Sequence, residues 1–319
     1  MKRFLIKVFA FFLPIIVLSY GLDVFISKNL KKDNSDENSD MRDIFNGAVN
    51  SDVVIYGSSR AWVQANPQII SDSLQQSTYN LGIDGHSFLQ QYLRHRLFLK
   101  YNKKPRLIIH SVDFLTFQKR KNLFNLNQFL PYMLFDTLIT KYTKNYEGFN
   151  YFDYVMPLAR YCSRGRYVQR AFLLSVNQAD NPPDRFRGYR ATNQQYENVV
   201  TGPKNYRIRF DPAIVKLFDQ YLRQCRRDSI DVIFVYSPEY IEGQKYVSNR
   251  DQLFDLIHHF SKKYHIQFYD YSKDSICYHK EYFNNAEHLN KTGSLLYSKK
   301  LAADIKHSTP PVDVYAADK

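Results

Sequence analysis

Apolar and polar positions divide the chain into three regimes. From Phe4 to Leu22 only Lys7 is charged. A helix of about 19 residues would span roughly 28 Å, close to the hydrocarbon thickness of a bilayer. The next polar run, DNSDENSDMRD at 33–43, has little to bury and reads as a flexible tether. From there to the polar C-terminal end, STPPVDVYAADK, short apolar runs alternate with helical patterns. DVVIYG (52–57), STYNLGI (77–83), PRLIIHSVD (105–113), IDVIFVYSP (230–238) and IQFYDYS (266–272) read as strands. They are brief, rich in β-branched residues and nearly continuous, as strands buried on both faces are. SFLQQYLRHRLFLKY, PAIVKLFDQYLRQCRRDS and KTGSLLYSKKLAADIKH carry helical spacing, the second with Pro212 near its first turn. This alternation predicts an α/β fold of three layers, a flavodoxin-like parallel sheet with helices on both faces. In such sheets, sites form beyond the carboxyl ends of the strands.

One long stretch breaks the rhythm. Residues 115–209 are rich in Tyr, Phe, Arg and Asn, too long for a plain connection, and read as an inserted helical cap. Its aromatic residues either form the cap's own core or face the site and bind sugar, phosphate or lipid. The expected organisation is a membrane helix at 1–27, a polar linker at 28–50, the α/β domain at 51–306 and a loose tail at 307–319.

Lys2, Arg3 and Lys7 favour a cytoplasmic N-terminus, although Lys28, Lys31 and Lys32 weaken that bias. The competing reading is a cleaved signal peptide, against which stand the length of the run and the lack of a clear small-x-small site. Either way the remainder is expected outside the cytoplasm. The net charge is +13, from 44 Lys and Arg against 31 Asp and Glu. The basic residues are dispersed and no zinc-finger spacing appears, so nucleic acid is not an expected partner. A basic face toward anionic lipid or an acidic polymer is the sharper alternative to a merely basic surface. Cys162, Cys225 and Cys277 include no CxxC pair and read mainly as buried thiols.

YGSSRA at 56, YNLGIDGHS at 79 and NAEHLNKTG at 285 occur in that order, each at a predicted strand end or late loop. This ordered set resembles the SGNH/GDSL hydrolase superfamily over residues 51–306. The GSSR start and the basic aromatic insert resemble its membrane-anchored members, such as the D-alanine transfer proteins of teichoic acid synthesis and the alginate O-acetylation proteins. The resemblance implies Ser59 as nucleophile and His288 as base, with Gly85 offering a backbone N–H to an oxyanion. It also aligns Asn80 and Asp113 with family blocks. Each residue has a plainer reading: Ser58 or Ser59 as helix cap, Gly85 as a turn glycine, His288 as a hydrogen-bonded loop histidine.

Two positions depart from the pattern. Val112 stands where an asparagine would donate to the oxyanion, a loss worth about 10²–10³ in rate. Asn285 stands where an aspartate would support the histidine. An amide does not stabilise an imidazolium as a carboxylate does and can favour the wrong tautomer, a swap worth roughly 10⁴ in turnover. Glu287 is one substitute acid, and a Ser59–His288 dyad is another solution. Arg60 either pairs with a sheet-edge carboxylate or holds an anionic substrate group. Asn80 and Asp113 join it as candidate substrate-binding residues, Asp113 more as a holder of loop backbone. His86 and His110 fall near strand ends without a second ligand at metal spacing, and His258 and His259 read as surface. No metal or cofactor is expected.

The leading expectation is acyl-ester hydrolysis or transfer on a cell-envelope glycan or acylated polymer, with a membrane-bound O-acyltransferase as the partner the resemblance implies. A non-catalytic anchored binding protein on the same fold is the second, and a lipid-directed esterase at the membrane surface the third.

Overall fold

The computed structural model describes residues 1–179, 185–196 and 205–308. Helices α1 (Lys2–Leu30) and α2 (Asp36–Phe45) come first. Strand β1 (Val53–Tyr56) leads into α3 (Ser59–Gln64) and α4 (Pro67–Leu74), and β2 (Thr78–Asn80) into α5 (Phe88–Tyr101). After β3 (Leu107–Ser111) come α6 (Thr137–Thr143), α7 (Tyr151–Val155) and α8 (Gly165–Ser175). The chain then runs through α9 (Pro212–Arg227), β4 (Asp231–Tyr236), α10 (Arg250–Tyr264), β5 (Phe268–Asp270) and α11 (Lys291–Ser308).

The five strands form one sheet in the order β2-β1-β3-β4-β5, every neighbouring pair parallel. This is the doubly wound, flavodoxin-like order, with its reversal between β1 and β3. Side chains divide by the two-residue period of a strand. Val53, Ile55, Ile109 and Val235 share a core with Ile70 of α4 and with Tyr297, Leu301 and Ile305 of α11. On the opposite face, His110 packs against Phe88 of α5 and against Phe218 and Tyr221 of α9, with centroid distances of 5.7, 5.2 and 5.6 Å. Tyr236 meets Phe254 of α10 at 4.8 Å. Helices therefore cover both faces, which is why the strands read as apolar at nearly every position. Of the covering helices, α4 is too short to stand out by periodicity; Asn66 caps it through the Gln68 N–H at 2.9 Å, ahead of Pro67.

Residues 1–46 and 120–179 belong to a separate compact unit. α1 is long and apolar enough to cross a membrane, and its apolar window is not buried. Its last turns are a different matter, since Asp23, Ile26, Ser27, Asn29 and Leu30 are buried. Asp23 forms a two-pronged ion pair with Arg160, 2.8 Å at each prong, and accepts the Leu158 N–H at 2.8 Å. Ser27 and Tyr161 share a hydrogen bond of 2.9 Å. The polar tether expected at 28–50 is folded in part, because α2 occupies residues 36–45. Met41, Ile44 and Phe45 give its end an apolar face; Met41 and Ile44 are fully buried, and Phe45 stacks on Tyr132 at 3.9 Å. The stretch expected as one insertion divides. Residues 120–179 go with the N-terminal unit, while 185–196 go with the sheet. The expected tail beyond Ser308 lies outside the described residues. Cys225 and Cys277 are buried, whereas Cys162 is exposed.

Candidate active site

β1 ends at Tyr56, and Gly57 turns the chain into α3. A Cβ at Gly57 would stand 2.7 Å from Ala61 Cβ and 2.9 Å from the Ser111 carbonyl oxygen, so only glycine fits this crossing between β1 and β3. The two serines that follow take different tasks. Ser58 caps α3, its Oγ accepting the Arg60 N–H at 3.5 Å and donating to buried Asp113. Ser59 opens the helix with its hydroxyl left over from capping. Its Oγ lies 2.7 Å from His288 Nε2, across 229 positions of sequence.

The far side of the imidazole is held as well. His288 Nδ1 lies 3.1 Å from Asn285 Oδ1. That oxygen also accepts the backbone N–H groups of Glu287 and His288, each at 2.9 Å. Two backbone donors oblige Asn285 to present its oxygen, not its nitrogen. An oxygen acceptor there requires the proton on Nδ1, which leaves the Nε2 lone pair for the Ser59 hydroxyl. The expected hazard of an amide at this position, a reversed tautomer, is thereby removed by local backbone. Burial pushes the His288 imidazole down to about 4, and the nearby Arg60 cation adds to the shift against an opposing pull from Glu239. The imidazole is therefore neutral at ordinary pH. Glu287 does not take the missing carboxylate's place. Its side chain makes no hydrogen bond to His288 among the described residues, and burial pushes its carboxyl up to about 7.

Gly85 lies in the turn after β2 with φ of +65°. The N–H groups just before it are committed: Leu81 to Ile55 O at 2.8 Å, Gly82 to Asn80 Oδ1 at 2.8 Å, Ile83 to Gly57 O at 3.1 Å. The N–H of Ser59 has no intrahelical partner, since it is the first residue of α3. Val112 is buried and donates its own N–H to Val235 O at 2.9 Å, adding no donor.

The three expected substrate contacts are internal. Asn80 is fully buried; its Nδ2 donates to Ala61 O and Ala65 O at 2.8 Å, stapling β2 to α3. Asp113, also fully buried, receives Ser58 and the Leu115 N–H, the latter at 2.8 Å. Arg60 is 1% exposed, donates to Ser237 O, and lies 3.7 Å from Glu239 and 4.3 Å above the Tyr236 ring. None of the three offers a free face to a ligand; each fixes the backbone that carries Ser59 or the charge around His288.

Sequence reasoning overlooked Glu239 and Gln64. Glu239 is 2% exposed and gathers Tyr236 Oη at 2.7 Å, Arg250 at 2.8 Å and Arg60. Burial opposes its charge, yet Arg60 and Arg250 hold the carboxyl below the usual range. The available signal was a carboxylate just past the carboxyl end of an apolar strand. Gln64 Nε2 donates to Glu287 O at 2.9 Å, tying α3 to the loop that carries His288. A third feature is the segment 185–196. Arg187 O accepts the Asn80 N–H at 2.9 Å, Arg185 and Arg190 flank the Trp62 ring at 4.5 and 5.7 Å, and Thr192 O accepts the Lys291 N–H at 2.7 Å. It thus bridges β2, α3 and the start of α11.

A cavity of about 820 Å³ opens at the other end of the sheet, where Leu107 and Asp231 begin their strands, and contains none of these residues. Among the described residues no group of His, Cys, Asp and Glu has metal-site geometry.

No family model and no curated protein matches the sequence. Among the solved structures with a remote likeness are the following two. One is assigned as an acylhydrolase, from Bacteroides fragilis NCTC 9343, at 13% identity and a TM-score of 0.34, covering 80% of this chain and 86% of that one. The other is a GDSL-like lipase from Bacteroides thetaiotaomicron VPI-5482, at 12% identity and a TM-score of 0.37, covering 81% and 88%. Likeness at this level assigns neither fold nor activity. The fold rests on the strand order and register, and the site on its own hydrogen bonds.

Proposed function

We propose that this chain is a membrane-anchored serine esterase or O-acyltransferase of SGNH type. The observation that carries the reading is the relay from Ser59 Oγ to His288 Nε2 at 2.7 Å and from Nδ1 to Asn285 Oδ1 at 3.1 Å. In the proposed step, Ser59 Oγ attacks an acyl carbonyl carbon as its proton passes to His288 Nε2. The tetrahedral oxyanion is received by the N–H groups of Ser59 and Gly85. The leaving alkoxide takes the proton from His288 as the C–O bond breaks, giving an acyl-Ser59 ester. Water or a sugar hydroxyl then enters by the same route in reverse. An apolar helix of membrane-spanning length supports action at a membrane surface, and the basic, aromatic-rich character of the chain supports an acylated envelope polymer as substrate. A membrane-bound O-acyltransferase as acyl donor is part of this proposal.

The test is covalent labelling of the full chain by a serine-reactive fluorophosphonate. Labelling is expected at Ser59, abolished by Ser59→Ala and strongly slowed by His288→Ala. A second reading, a catalytically silent binding protein, draws on Asn285 in place of a carboxylate and on Val112 in place of a donor. It requires an unlabelled Ser59 and a Ser59→Ala variant with undiminished cellular function.

A further inference from the structure

The geometry points to a second contact with the membrane: the exposed apolar face of α7, together with Phe172 of α8, lies in the lipid interface beside the anchoring helix. α7 carries Tyr151, Phe152 and Val155 on one side, 73%, 60% and 37% exposed, and Met156, the extended residue that caps its end, is 54% exposed, while Asp153 and Tyr154 are buried. Val155 follows Tyr151 and Phe152 by four and three residues, so these three share a face of the helix. Large apolar side chains scattered singly need no explanation, but three on one short helix with a fourth directly after it form a patch that water covers at a cost. Its neighbourhood says what covers it. Two residues after Met156, the Leu158 N–H donates to Asp23 Oδ2 at 2.8 Å. Two Cα steps reach at most about 7.6 Å, so Met156 sits beside the turn of α1 that ends the apolar run. Arg160 pairs with the same carboxylate, and Phe172 of α8 packs on Phe25 of α1 at 5.1 Å while remaining 49% exposed.

Buried polar bonds thus tie the segment directly after α7 to the end of α1's apolar run, and half-exposed Phe172 of α8 lies against α1 itself. Lys28 lies in the last turn of α1, the level at which an exposed ammonium group can meet lipid phosphates. An apolar face of this kind enters the boundary between headgroups and acyl chains to roughly 5–10 Å. The inference rests on the reading of α1 as a membrane anchor, and it adds that the folded unit behind the anchor is laid on the bilayer at a set depth.

The experiment uses the full chain in phosphatidylcholine nanodiscs, with exposed Cys162 replaced by serine. Single cysteines at Phe152, Met156, Leu13 and Lys262 carry an environment-sensitive fluorophore, and nitroxide lipids serve as quenchers. Labels at 152 and 156 are expected to shift to the blue and to lose most of their emission to a nitroxide near the headgroup. A label at 13 is expected to respond to a deep nitroxide, and one at 262, an exposed position on α10, to neither. Labels at 152 and 156 that behave like 262 while 13 is quenched overturn the inference and leave the anchor standing. The same outcome with 13 also unquenched overturns the anchor reading itself. Blue-shifted but unquenched labels at 152 and 156 assign the face to protein, a second copy of the chain, and equally overturn the lipid contact.

Discussion

Asn285 Oδ1 accepts three hydrogen bonds in the Ser59–His288–Asn285 relay, so an isosteric carboxylate would keep every donor in place and add only charge. Hydrogen bonds to a charged partner are about twice as strong as neutral ones, which is worth roughly 10–100-fold in rate here. Asn285→Asp is therefore expected to raise the rate of Ser59 labelling or of ester turnover by roughly 10–100-fold. A variant no faster than the parent would show that the imidazole does not gain charge in the rate-limiting step. The same residues set the pH dependence. With His288 held down to about 4, the base stays neutral until strongly acid pH, and kcat/KM should fall only as pH drops toward that value. In Asn285→Asp the new negative charge favours imidazolium, so the acid limb should move upward. A parent limb near the ordinary histidine value would argue against the buried, Arg60-facing imidazole.

Elements fit together here through a few close approaches. Gly188 adopts φ of +80°, and a Cβ at that position would meet the Asn80 carbonyl oxygen at 1.7 Å. Gly188→Ala must lift the 185–196 segment from β2, removing the Arg187 O bond to Asn80 and disturbing the staple that sets the start of α3. The expected result is lower thermal stability, read by calorimetry, together with slower labelling of Ser59; unchanged values for both would refute the bridging role of this segment. In the N-terminal unit, Asp23→Asn would leave Arg160, 1% exposed, without its counterion. Breaking a buried pair from one side costs about 3–5 kcal/mol. Limited proteolysis in detergent should cut residues 120–179 far faster in this variant, and an unaltered pattern would mean the pair is replaceable by solvent. Strands β1, β2 and β3 were legible from sequence because burial on both faces leaves no polar register, while β4 begins exposed and edge strand β5 is only partly buried. The tether reading failed at α2 because a polar run was judged by its average, whereas Met41, Ile44 and Phe45 at one end suffice to seat a helix.

For the sheet-bearing unit as a whole, buried histidines make stability a function of acidity. His95 and His110 are both pushed down to about 3, first by burial and then by the charge of Arg96 and of His95 respectively. A group whose folded value is depressed takes up its proton more readily when unfolded. Between about 6.5 and 3 the unfolded chain therefore binds more protons, and stability falls as pH falls, each histidine contributing up to about 1.4 kcal/mol per pH unit. Urea midpoints should drop from pH 7 to pH 5, and paired His95→Gln and His110→Gln substitutions should flatten that slope even if they lower the midpoint itself. Glu287, raised to about 7, works in the opposite sense, its contribution lost as pH rises from the usual glutamate range through that value.

The sequence alone determined the α/β class and the strand set, because these depend on local apolar runs; Ser59 and His288 were candidates only through the resemblance of their short motifs, and the fold brings them together across 229 positions. The sequence left open whether Ser58 or Ser59 caps α3, which tautomer an amide would impose, and where Arg60, Asn80 and Asp113 point. Tertiary structure decided those, since each depends on a partner brought from another strand end: Asp113 claims Ser58, the backbone of the 285–288 turn orients Asn285, and Glu239 draws Arg60 inward. Burial turns such partners into the deciding term, because a polar group removed from water takes whatever bond the fold supplies.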